Sequence, residues 1–150
     1  MKATVIAAFD ISKVSTGVAI YDGEFQHLQT IKFNDSVQWE NEVKEIFDIW
    51  KPDIVTFSDT VNRMFSHGTK SIMFGLMYHL QHICCKYMIS CNPITDAPAK
   101  KHIGVKMNKG DKTKQDTINW AYQFASPKNH DEADAMCFAV YVYDLIRCSK

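Results

Sequence analysis

The chain opens with short apolar runs set between polar turns and then changes to helical spacing. Ala3–Phe9 is almost wholly apolar and ends on Asp10, the pattern of a strand buried on both faces. A polar turn at Ser12–Thr16 leads to a second strand, Gly17–Tyr21. The Asp22-Gly23 pair, a hairpin signal, leads to a third, Phe25–Phe33. Val43, Ile46, Phe47 and Trp50 share one face of a helix over Val37–Trp50, which Pro52 stops. Ile54–Phe57 reads as a short buried strand and Val61–Thr69 as a loop. Lys70–Tyr87 carries Ile72, Met73, Leu76, Met77, Leu80 and Ile83 as the stripe of a long helix. Met88–Asn92 reads as a last strand closed by Pro93, followed by a short helix at Ala97–His102 and a loop at Gly104–Gly110. Asp111 is placed to cap a helix over Lys112–Phe124, and the final helix spans Asp131–Arg147. The order βββαβαβααα, an antiparallel hairpin feeding parallel strands, predicts an α/β fold with helices on both faces of one sheet.

Length and composition narrow the picture little. The 150 residues make one domain, 1–150, the simplest organisation, and a 46% apolar, 23% charged chain is ordinary for a soluble protein. No apolar run approaches the roughly 20 residues a bilayer span needs. Asp10 and Lys13 interrupt the opening apolar stretch, unlike a secretory signal. Cys84, Cys85, Cys91, Cys137 and Cys148 form no C-x-x-C pair, so reduced thiols and a cytoplasmic setting are expected. The formal net charge is zero, but its distribution is uneven. Between Pro98 and Gln115 stand six lysines and one acid, Asp111, which is a basic stripe on an otherwise acidic molecule. Taken alone, the stripe reads first as a solvated, lysine-rich loop.

The acids carry more. Asn129-His130-Asp131-Glu132-Ala133-Asp134-Ala135 opens the last helix, where Asp131 and Asp134 at i, i+3 share a face. An acid at the tip of the first strand facing these two is costly unless cations neutralise it. Hard oxygen donors of this kind suit Mg²⁺ or Mn²⁺ and phosphodiester chemistry. Each acid also has an ordinary use: Asp10 as a turn cap, Asp131 as an N-cap, Asp134 as a solvated first-turn residue.

Together these residues resemble the RuvC-like Holliday junction resolvases of the ribonuclease H-like superfamily, phage-borne members most of all. The likeness rests on Ala8-Phe9-Asp10-Ile11-Ser12 with Thr16-Gly17-Val18-Ala19 behind it, and on Lys51-Pro52-Asp53-Ile54-Val55. It extends through Met73-Phe74-Gly75-Leu76, Ala99-Lys100-Lys101, Gly110-Asp111-Lys112 and Asp131-Glu132-Ala133-Asp134-Ala135. The resemblance implies a mixed five-stranded sheet and an endonuclease that resolves four-way or other branched DNA by paired nicks. It implies two Mg²⁺ ions, with Mn²⁺ able to substitute, bridged by Asp10 and completed by Asp131 and Asp134, and products with 5′-phosphate and 3′-hydroxyl ends. It further implies a homodimer formed through the Lys70–Tyr87 helix, no membrane partner, and a host-cytoplasmic setting for a phage-encoded protein.

One position departs from the pattern. The family carries a glutamate at the end of the fourth strand, and Ser58 stands in that slot. The nearest acid, Asp59, is the expected fourth ligand if a bulge or an early strand end turns it toward the metals. Lys101 and Lys112 match catalytic or phosphate-contacting lysines of the family. Lys100, Lys106, Lys109 and Lys114 are expected on the DNA backbone. Arg63 and Phe65 fall in the loop that approaches the junction centre, with Phe65 placed to stack on a base or wedge the crossover. Two other readings stay open: a junction-binding protein that nicks slowly or not at all, suggested by Ser58, and a ribonuclease H-type hybrid nuclease. An actin-like phosphatase, which shares the strand–Asp–turn–Gly opening, needs a second domain for which the chain is too short.

Overall fold

A computed structural model describes residues 2–59, 66–108 and 111–149. Five strands, β1 (Ile6–Ile11), β2 (Ser15–Tyr21), β3 (Phe25–Lys32), β4 (Ile54–Ser58) and β5 (Ser90–Ile94), form one sheet in the order β3-β2-β1-β4-β5. The β1–β2 and β2–β3 pairs are antiparallel, while β1–β4 and β4–β5 are parallel. The helices are α1 (Ser36–Trp50), α2 (His67–Lys86), α3 (Asp96–His102), α4 (Lys112–Ala121) and α5 (His130–Cys148). This is the mixed, five-stranded α/β arrangement that the sequence predicts.

Alternation along the strands sorts the core into two layers. Phe9, Val18, Ile20, Val55 and Phe57 face α1 and α2, meeting Trp39, Val43, Phe47, Leu76, Leu80 and Ile83. On the other face, Ile6, Ala8 and Ala19 meet Ala133, Met136, Phe138, Ala139 and Val142 of α5. The first layer is built from large side chains, while the second mixes a few large ones with many alanines. Small residues on both partners let α5 lie close to the sheet. At Gly17 the approach is closest, since a Cβ there would sit inside contact with the Asp131 carbonyl and the Glu132 nitrogen. Only a residue without a side chain fits.

Several boundaries differ from expectation for local reasons. β5 runs through Pro93 to Ile94 because it is an edge strand, where a missing N–H costs no ladder bond. Asp111 occupies the N-cap position of α4, but its carboxylate makes no capping bond. At α5 the cap is Asn129, which accepts from the Glu132 N–H at 3.0 Å, so the helix begins one residue before Asp131. Asn129 Nδ2 also donates to Thr30 Oγ1 at 2.9 Å, tying the helix start to β3. Thr30 in turn donates to the fully buried Glu132, whose other oxygen accepts from the Lys128 N–H. The reciprocal use of Asn129 and Glu132 resembles a capping box.

Gly17→Ala is expected to cost more than about 2 kcal/mol, as forced overpacking does in a tight core. Urea unfolding measures it; a loss under about 0.5 kcal/mol, the range of an ordinary surface change, would contradict this account of the helix seat.

Candidate active site

One row of residues crosses the sheet beneath the start of α5. The strand registers pair Thr30 with Gly17 and Gly17 with Asp10, and Ser58 with Ile94. Continuing the β1–β4 register one step beyond Phe9 and Phe57 sets Ser58 beside Asp10. Paired neighbours share a face, so Thr30, Gly17, Asp10 and Ser58 all lie on the α5 side. Thr30 holds Glu132 and Gly17 lies under Asp131, which brings the first turn of α5 against the sheet position next to Asp10.

Asp10, Asp131 and Asp134 line one cleft of about 260 Å³, together with Lys13, Lys114 and His130. Asp131 is buried and accepts from Ser15 Oγ at 2.6 Å. Ser15 is itself fixed by the β1–β2 turn, where Ser12 Oγ donates to its carbonyl at 2.6 Å. His130 Nε2 lies 3.1 Å from the other Asp131 oxygen. Asp134 is bound by the ammonium of Lys100, which reaches in from α3 and is only 3% exposed. Lys100 Nζ also donates to Thr117 Oγ1 of α4 at 3.2 Å and lies 5.9 Å from the centre of the Phe138 ring. Burial pushes the nearby Cys137 thiol up to about 12; Lys100 opposes the rise, and Asp134 and then Asp10 add to it. That thiol therefore feels charges from both the strand acid and the helix acid.

The sequence-predicted residues separate on this geometry. Asp10, Asp131 and Asp134 share the cleft. Asp59 does not join them: it continues the β4–β5 pairing, with its N–H donating to the Ile94 carbonyl at 2.7 Å. It lines a different pocket of about 130 Å³ with Phe57, Phe74 and Met77, on the α2 face. There is no bulge to reverse its direction, so strand alternation sends it away from Asp10. Lys100, expected on the DNA backbone, is turned inward onto Asp134. Lys101, Lys106, Lys112 and Lys114 are exposed. Lys114 borders the acidic cleft, and Lys106 and Lys112 line an adjoining open groove with Trp120. Arg63, Phe65 and Lys109 lie outside the described residues.

Sequence reasoning missed Ser15, the inward role of Lys100, and Asp96. Asp96 stands in the first turn of α3 and accepts a 2.6 Å hydrogen bond from the buried Ser58 hydroxyl. The i, i+4 spacing of Asp96 and Lys100 was the available signal.

Among the described residues, no three His, Cys, Asp or Glu side chains are gathered tightly enough to hold a divalent ion as they stand. Asp131 is engaged by Ser15 and His130, and Asp134 by Lys100. In kind the donors fit: carboxylate oxygens from a strand and a helix, in one cleft, are hard ligands suited to Mg²⁺ or Mn²⁺.

The sheet order, with α5 seated over the strand that carries Asp10, defines the RuvC-like form of the ribonuclease H-like fold. Thermus thermophilus RuvC in complex with a Holliday junction substrate shares it with a TM-score of 0.77 at 11% identity, covering 96% of each chain. The fowlpox virus resolvase in complex with Holliday junction DNA does so with a TM-score of 0.67 at 13% identity, over 95% of this chain and 99% of that one. No protein-family model and no curated protein matches the chain. Likeness at such low identity establishes the fold.

Lys100→Met leaves the Asp134 carboxylate without its buried partner. Removing one partner of a fully buried pair costs about 3–5 kcal/mol, and Asp134 keeps some solvent contact, so about 2–3 kcal/mol is expected. Lys101→Met, on the same helix but exposed, should cost under about 0.5 kcal/mol. Paired urea titrations compare them; equal effects would remove Lys100 from its structural role.

Proposed function

We propose that this protein is a metal-dependent, structure-selective endonuclease that resolves four-way or otherwise branched DNA by paired nicks. The observation that carries the reading is the meeting of Asp10, Asp131 and Asp134 in one cleft, in a fold shared with two resolvases captured on Holliday junctions. Mg²⁺, or Mn²⁺ in its place, would be held by these carboxylates. When bound it supplies Lewis acidity to the phosphate and a water made nucleophilic at neutral pH, giving 5′-phosphate and 3′-hydroxyl ends. The resemblance implies two such ions, which titration with Mn²⁺ counts.

The chain's own residues prepare the site around that chemistry. Ser15 and the Gly17 seat fix the direction of Asp131, and Lys100 fixes that of Asp134. His130, in contact with Asp131 and open to the cleft, is placed to orient a water or accept a proton. Lys114, at the cleft edge, supplies a positive charge toward an incoming phosphate. Lys106 and Lys112 line an exposed groove and Lys101 is exposed on α3, cationic positions suited to a backbone rather than to bases. A homodimer formed through α2 would present two such clefts to the two strands of a symmetric junction.

A second reading, a junction binder with weak or no nicking, draws support from Ser58 at the tip of β4. Incubation with a synthetic four-way junction, a linear duplex and an RNA–DNA hybrid, with Mg²⁺, Mn²⁺ or EDTA, separates the readings. Paired symmetric nicks in the junction are expected with metal, falling at least about a hundredfold in Asp10→Asn. Tight junction binding without nicking would favour the binder, and loss of the RNA strand the hybrid nuclease. In a salt titration of junction binding, each of Lys106→Ala and Lys112→Ala should reduce the log–log slope by roughly 0.7–0.9. An unchanged slope in both would take these lysines off the DNA.

A further inference from the structure

The short helix α3 presents two chemical groups one turn apart, and both end at the same row of the sheet. Lys100 reaches Asp134 of α5, and Asp96 reaches Ser58 of β4. Ser58 is 2% exposed and stands beside Asp10 on the face turned to α5. Asp10 is therefore flanked on both sides. Toward β2 lies the Asp131 turn, seated on Gly17; toward β4 lie Ser58 and the carboxylate that it holds. The acid just past the end of β4, Asp59, is in another pocket, with Phe57 of the opposite face.

Resting on the endonuclease reading, we propose that Asp96 is a ligand of the divalent ion at Asp10, delivered by α3 instead of by β4, with Ser58 as its positioning residue. A carboxylate offers about four lone-pair sites, and the hydrogen bond from Ser58 to one of its oxygens orients the group. The hydroxyl is short and buried, with one strongly preferred acceptor at 2.6 Å, which restricts where the carboxylate points. The second anchor is Lys100. Because Asp96 and Lys100 lie at i, i+4, the Lys100–Asp134 pair fixes the rotation of α3 and with it the side from which Asp96 approaches. A serine in a strand slot next to the principal acid thus has a use: it receives an acid from another element.

The test is Mn²⁺ binding by calorimetry and by the free-ion EPR signal, on protein without DNA, with nicking assayed separately. Asp96→Asn keeps an acceptor for Ser58 and should preserve the fold, checked by circular dichroism. It is expected to weaken Mn²⁺ binding by more than about a hundredfold, beyond the roughly 10–100-fold typical of an outer-shell change. Ser58→Ala, which keeps the acid and loses its tether, should weaken binding by about tenfold. Ser58→Glu combined with Asp96→Ala, which moves the acid onto the strand, should restore at least part of the affinity. If Asp96→Asn does not fold, this double variant and Ser58→Ala decide the matter. Wild-type affinity in Asp96→Asn, or loss in Asp59→Asn instead, overturns the assignment and leaves the endonuclease reading standing. No Mn²⁺ binding by the wild-type protein overturns both.

Discussion

The site depends on how closely a helix can lie on a sheet. The α5 backbone meets β2 where Gly17 leaves no side chain in the way, and Ala8, Ala19, Ala133 and Ala139 keep the same interface thin. Larger residues would lift the helix and draw Asp131 away from the strand that carries Asp10. The polar fittings follow from that seat. Asn129 and Glu132 fasten the helix end to Thr30 on β3, and Ser15 reaches Asp131 from the β1–β2 turn. Residues 99 to 116 positions apart in the chain are thereby held to one another by hydrogen bonds, before any ligand is considered.

Electrostatics then decides what this concentration of acids costs. Like charges at one end of a sheet repel, and the protein offsets part of the repulsion internally. Lys100 places a buried ammonium on Asp134, satisfied further by Thr117 and facing the Phe138 ring. His130 lies on Asp131. The same helix that supplies the ammonium supplies Asp96, so α3 contributes both signs of charge to the row. Its seven residues are too few to stand alone as a helix, and these polar ends, with the fully buried Ala99, hold it in place.

Much of this was legible from residue order. The strands and helices emerge from apolar spacing, since each element buries one face and advertises its period. Asp10, Asp131 and Asp134 could be picked out because one acid closes an apolar run and two stand at helical spacing. Asp59 could not be placed from the sequence, because the answer turned on a single step of alternation just past the end of β4, where its N–H still pairs with the Ile94 carbonyl. Lys100 was hidden inside a lysine-rich segment where every other described lysine faces solvent; composition cannot distinguish the one that turns inward. Asp96 carried no local mark beyond its spacing from Lys100, as its partner Ser58 is 38 residues away.

The Lys100 ammonium has a consequence for how the molecule comes into being. A small zinc module waits for its ion before it can collapse, because nothing else cancels its ligands' charge. Here one counter-charge is covalently built in, and the apolar layers on both faces of the sheet close without mineral help. If the proposed nuclease takes up a metal ion, maturation of the polypeptide and loading of that ion are separate events, and a chelator would leave the architecture standing.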